Sequence, residues 1–342
     1  MTPTHPSRPA TAALLLAACL LAPSAPAQQP QQAAADALFD QGHYLRALPL
    51  IQANLQQNPT DIHALVKASE IQWAFYHDDL SLALAEKAVA LAPNSPAAHT
   101  QLTNALGTKL MSNTASTFEK LSIARRFHKE VEHALLLNPN HPDTIEDAAQ
   151  FYWNAPAFVG GDRPKAQQLA DRLVPIDPAR AANLKATFAA EDKDPAHRSA
   201  TILALWKQAL AARPHSYDAH IGLGNAYLDA TPQTPANLHL AEAQAQQALA
   251  LDPTRIPAYR LLAALYTTSA RWSDLDAILL RARAAVPDDL SPLYQAAHLI
   301  LTRNLSPQFA RAQQYLRAYL AQPAEGQAPT HEAARQDLSK LQ

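Results

Sequence analysis

The chain has one cysteine in 342 residues, Cys19, and seven glycines, and aromatics make up only 6% of it. With Cys19 near the N-terminus, no disulfide and no thiol nucleophile is expected inside the fold, which is compatible with an oxidising compartment. β-Branched residues are scarce, and the hydrophobic share of 48% is mostly Ala and Leu. Those are strong helix formers, so the composition is all-α. Charge of one sign is also missing: 28 Lys and Arg face 30 Asp and Glu, a net charge of −2. A nucleic-acid binder would show a basic field. No P-loop, GxSxG or HExxH motif is present, so no catalytic site and no cofactor are expected. No apolar run approaches the ~20 residues that span a bilayer.

The N-terminus reads as a secretory signal over residues 1–27. Arg8 precedes an apolar run from Thr11 to Ala22, and Ala25-Pro26-Ala27 precedes a Gln-rich stretch. That order of charge, short apolar run and small residues is the export pattern. Leu16-Ala17-Ala18-Cys19 also looks like a bacterial lipobox, in which Cys19 would be lipidated. Because Leu20, Leu21 and Ala22 continue the apolar run, cleavage near Ala27 is the favoured reading. The expected location is periplasmic or secreted, with an outer-membrane lipoprotein as the alternative.

What the chain has in quantity is proline, 27 in all. Seven follow apolar helical turns: Pro59, Pro93, Pro139, Pro178, Pro214, Pro253 and Pro287, with a weaker eighth at Pro323. Their spacings of 34, 46, 39, 36, 39, 34 and 36 describe a 34-residue unit with insertions. Proline lacks an amide donor and constrains the residue before it, so each should stop a helix. Eight residues into each unit stand Ala35, Ser69, Thr103, Ala149, Phe188, Gly224, Ala263 and Ala297, small at all but Phe188. Small residues there allow two helices to approach closely, while Leu38, Tyr152, Tyr227 and Tyr266 fill the space between units.

In this pattern the chain resembles the tetratricopeptide repeat (TPR) family, and the segment from Lys120 to Pro178 resembles a subgroup of exported bacterial TPR proteins. The resemblance implies a right-handed α-solenoid of about eight helical hairpins with a C-terminal capping helix. The units fall at about 28–61, 62–95, 96–141, 142–180, 181–216, 217–255, 256–289 and 290–322, with a cap at 329–342. One unit cannot bury its own face, so neighbours must stack. In the fifth unit Phe188 and Glu191 depart from the pattern, so a shorter first helix and a bend are expected. The charged last helix reads as a solvating cap.

The resemblance also implies a concave groove that binds a peptide or protein partner. Its positions are occupied by Glu70, Trp73, Asn104, Glu146, Gln150, Trp153, Asn225 and Arg260. Trp73 and Trp153 share one position two units apart and would be apolar anchors. Val66 and Thr100 stand where a clamp for a C-terminal carboxylate wants lysine. The expected function is a non-catalytic scaffold in the bacterial envelope. The alternative is an accessory component of a transport system, holding a small, partly apolar molecule. In that case the insertion in the third unit and the turn Ala155 to Gly161 would close a pocket lined by Trp73, Trp153 and Phe158.

Other clusters have structural explanations. His128 and Glu132 share a helix face beside His133, but a closed metal site wants more ligands. The alternating charges around them describe a solvated face. Gly160-Gly161 reads as a turn, with Asp162 capping the next helix. Ser116 and Glu119 have capping-box spacing. Gly222 and Gly224 lie inside a helical run with no preceding strand, so they serve packing.

Overall fold

The computed structural model describes residues 28–111 and 116–341. The export signal and Cys19 lie outside the described residues, as do residues 112–115 of the third unit. Seventeen α-helices and no strand are present among the described residues. Sixteen of them form eight antiparallel hairpins. These are α1 (Gln28–Asp40) with α2 (Tyr44–Gln57), α3 (Ile62–Ala74) with α4 (Asp78–Leu91), α5 (Pro96–Met111) with α6 (Thr117–Leu137), and α7 (Pro142–Asn154) with α8 (Arg163–Leu173). Then come α9 (Pro178–Ala189) with α10 (Pro195–Ala212), α11 (Tyr217–Leu228) with α12 (Pro235–Leu251), α13 (Ile256–Thr268) with α14 (Trp272–Ala285), and α15 (Ser291–Thr302) with α16 (Phe309–Leu320). Helix α17 (His331–Lys340) closes the chain. The protein is an all-α solenoid.

Helix ends follow local chemistry. Asp61, Ser116, Asp162, Asp177, Asp194, Ser216, Thr234 and Thr330 each accept an amide of the first turn of the next helix. Such caps satisfy donors that a helix start leaves open. Prolines sit two residues past the ends of α2, α4, α6, α10, α12 and α14. In the fourth unit that place belongs to Pro175, not Pro178, which instead opens α9.

The fifth unit therefore starts three residues earlier than the proline frame sets it. Phe188 is then no exception at a small position. It is the eleventh residue of α9, as Tyr152, Tyr227 and Tyr266 are of α7, α11 and α13. Nor is α9 short: its 12 residues equal those of α11 and α15.

First helices of neighbouring hairpins pack on one another along the array, from α3 on α5 to α13 on α15. They form the inner layer, and the second helices lie outside. Gly224 of α11 allows this approach to α13, and Gly222 allows the approach of α10. A Cβ on Gly222 would lie 2.3 Å from the Trp206 ring, and one on Gly224 would lie 2.5 Å from Leu261. Between hairpins 2 and 3 the small position is also polar: Ser69 donates to the Ser81 carbonyl at 2.7 Å and accepts from Gln101 at 2.9 Å.

The array turns far enough for its ends to meet. The Glu325 carboxylate, 4% exposed, accepts the Leu45 amide at 3.0 Å. His43 lies 3.0 Å from Asp288, and the Tyr76 hydroxyl donates to the Gln327 carbonyl at 3.3 Å. Gly326, at φ +43°, lies against the Tyr44 ring, where a Cβ would come within 2.6 Å. The last helix is the expected cap, with Glu332, Arg335 and Lys340 exposed on its outer face. Helix α17 packs on α15 and α16, and the connector before it is a buried contact with the first hairpin.

Candidate binding surface

The inner layer carries the polar side chains. Glu146 of α7, Arg180 and Asn183 of α9 and Asn225 of α11, with Arg198 at the start of the second helix α10 and Asp229 just past α11, line a cavity of about 810 Å³. Its ion pairs fix part of that surface. Arg180 bonds Asp143, and lies 3.0 Å from Glu146 and 3.7 Å from Asp177. Arg255 meets Asp218 at 2.7 Å and lies over the Tyr217 ring. Burial raises the Glu146 carboxyl despite Arg180, and burial likewise raises Asp229 against the pull of Arg303. Asn183 and Asn225 are exposed to the cavity, and neither side chain has a hydrogen-bond partner among the described residues.

A second cavity of about 590 Å³ lies between hairpins 2, 3 and 4. Trp73, Phe127, Phe151 and Val159 supply apolar wall, and Asn104, Asp147 and Gln150 supply polar groups. Thr103 donates to Asp147 at 3.1 Å. The Asn104 amide, oriented by its hydrogen-bonding neighbours, donates to both Asp147 oxygens at 2.8 and 3.1 Å. Burial pushes the Asp147 carboxyl well up; the Thr103 bond opposes that, and Glu146 and Asp143 add to it.

The eight residues proposed from sequence are thus divided. Glu146 and Asn225 line the first cavity, and Trp73, Asn104 and Gln150 the second. Arg260 lines a third, of about 400 Å³, beside Tyr44 and Glu325 where the chain ends meet. Glu70, half-buried on α3, is pushed up to about 7 by burial; Lys67 opposes the shift, and Asp143 and Asp40 add to it.

Trp153 is placed elsewhere. It stacks on Phe188 with ring centroids 4.1 Å apart, and its indole N–H donates to Glu191 at 2.7 Å. Arg163 lies 4.5 Å over the same ring. Phe188 and Glu191, which look irregular in the sequence, are the partners of this tryptophan.

The pocket expected from Trp73, Trp153 and Phe158 is corrected accordingly. Phe158 is 79% exposed, while Val159 beside it is buried. The turn sets this: Gly160 has φ +106°, and a Cβ on Gly161 would lie 1.8 Å from the Ala155 carbonyl oxygen. Asp162 accepts the Lys165 amide at 3.0 Å, so its carboxylate occupies the helix start. His128 stacks on Phe151, and Glu132 is held by Lys165 at 2.6 Å and by Tyr152. Sequence reasoning misses Asn183, Asp147, Phe127 and Phe151. Asp147 carries a signal, being a carboxylate beside Ala148 and Ala149 on a packed helix.

No family model matches the sequence, and no curated protein matches it. Solved structures do resemble the fold. The human IFIT1 dimer with m7Gppp-AAAA is 14% identical, with a TM-score of 0.51, covering 91% of this chain and 72% of its own. A monomeric IFIT1 mutant with Gppp-AAAA is 15% identical, with a TM-score of 0.51, covering 91% and 71%. A thermophilic TPR protein of Thermus thermophilus is 19% identical, covering 70% and 98%, with a TM-score of 0.39. At these identities the likeness concerns the fold alone. The fold itself, antiparallel helix pairs whose first helices pack in one inner layer, is of the TPR type.

Proposed function

We propose that the protein is a non-catalytic scaffold whose inner face binds an extended segment of a protein partner in the bacterial envelope. One observation carries this reading. Asn183 and Asn225, on successive inner helices, face the 810 Å³ cavity with their amides unspent. A side-chain amide offers a donor and an acceptor, which is what a peptide backbone requires. The export pattern of residues 1–27 supports the location, and no helix among the described residues is long and apolar enough to cross a membrane.

The nucleotide ligands of IFIT1 fit this chain less well. Glu146, Asp177, Asp218 and Asp229 balance Arg180, Arg198 and Arg255 around the cavity. Phosphate binding draws on an excess of cationic groups. The test is affinity capture from an envelope fraction, comparing the wild type with Asn183→Ala/Asn225→Ala. A protein recovered by the wild type and lost with the variant is the expected result. Identical recoveries would overturn the reading.

A second reading, a carrier of a small and partly apolar molecule, is favoured by the 590 Å³ cavity and its aromatic wall.

A further inference from the structure

The second cavity has a composition that defines its ligand more closely, and that assignment rests on the small-ligand reading. Its volume of about 590 Å³ lies in the range of small-molecule sites. Three aromatic rings line it, from three hairpins: Trp73 of α3, Phe127 of α6 and Phe151 of α7. Gly107 of α5 leaves room there, since a Cβ on it would meet Phe127 at 3.3 Å. Trp153 and Trp272 each have an arginine over the ring. Trp73 has neither a stacked ring nor a cation over it among the described residues.

The one carboxylate in this wall is Asp147. Its hydrogen-bond donors, Thr103 and Asn104, are both neutral. No Lys, Arg or His nitrogen lies within 4.0 Å of it among the described residues. Arg180, the nearby cation, is bonded to Asp143 and Glu146. A half-buried carboxyl without a counter-charge resists ionising, and a cation brought by a ligand favours its charged form. Aromatic faces attract the same cation through their quadrupole.

We propose that this cavity binds an organic cation with an apolar body. Its ammonium group meets the Asp147 carboxylate, and its hydrocarbon part lies against Trp73, Phe127 and Phe151. The site is separate from the amide-lined cavity of the proposed partner surface, since the two share none of their lining residues.

The test is isothermal titration calorimetry of the full chain with 4-phenylbutylamine, charged at neutral pH, and with 4-phenylbutanol, its neutral counterpart. The amine is expected to bind about tenfold or more tightly than the alcohol. Asp147→Asn should remove that preference and leave alcohol affinity nearly unchanged, while Trp73→Ala should weaken both. Circular dichroism melts verify that the variants fold. If Asp147→Asn does not, Thr103→Val, which keeps the carboxylate and removes a neutral donor, should retain or increase the preference for the amine. Equal binding of amine and alcohol by the wild type would overturn the cation claim and leave a neutral apolar site. Binding of neither probe would overturn the small-ligand reading as well.

Discussion

Trp73 and Trp153 are both the twelfth residue of an inner helix, yet one neighbour each separates their roles. Beside Trp153 the next inner helix presents Phe188, and the two rings stack. Beside Trp73 the next inner helix presents Gly107, and the space stays open. Their shared position is legible in the sequence. The difference is not, because the proline spacing frames the fifth unit three residues late and puts Phe188 in the wrong slot. Trp153→Ala should lower stability by roughly 2–4 kcal/mol, since it removes a large packed ring. Trp73→Ala should cost less, about 1 kcal/mol, because its ring already borders a cavity. Urea denaturation midpoints of the two variants check this ordering, and a reversed order would contradict the placement.

At the scale of elements, helices and hairpins are the legible part. Proline stops, caps and small positions are local rules, so eight hairpins follow from the sequence alone. The exceptions arise where two prolines compete, Pro175 and Pro178, and only the helix ends distinguish them. The connection between α7 and α8 depends on backbone geometry. Gly161 has no space for a Cβ beside the Ala155 carbonyl. Gly161→Ala should destabilise by about 1–3 kcal/mol as that turn shifts. Asp162→Ala, which removes only the cap of α8, should cost about 1 kcal/mol. Thermal melts read both; an unchanged Gly161→Ala midpoint would show that the turn relaxes freely.

Across the whole molecule, the end-to-end contact is invisible in the sequence. It joins Leu45 to Glu325 and Tyr76 to Gln327, residues far apart in the chain and outside any repeat rule. It also makes stability depend on pH. Burial raises the Glu325 carboxyl from 4.5 to about 8; the Leu45 amide opposes the shift, and Asp288 and Asp289 add to it. The folded protein therefore holds a proton there that the unfolded chain has released. That contribution is full below the ordinary carboxylate value and is lost as pH rises towards about 8. Glu70, raised to about 7, acts in the same direction. The thermal midpoint should fall between pH 5 and 8, and Glu325→Gln should make that fall shallower. A slope unchanged by the substitution would contradict the assignment.

The solenoid closes its turn through the contact of its ends and so bounds its inner face. The most direct measurement is pulsed electron spin resonance between labels at Gln41→Cys and Gln327→Cys in a Cys19→Ser background. The closed array predicts one short, narrow distance, which Glu325→Arg should lengthen and broaden. A long or broad distribution in the parent chain, unchanged by Glu325→Arg, would show that the ends do not meet.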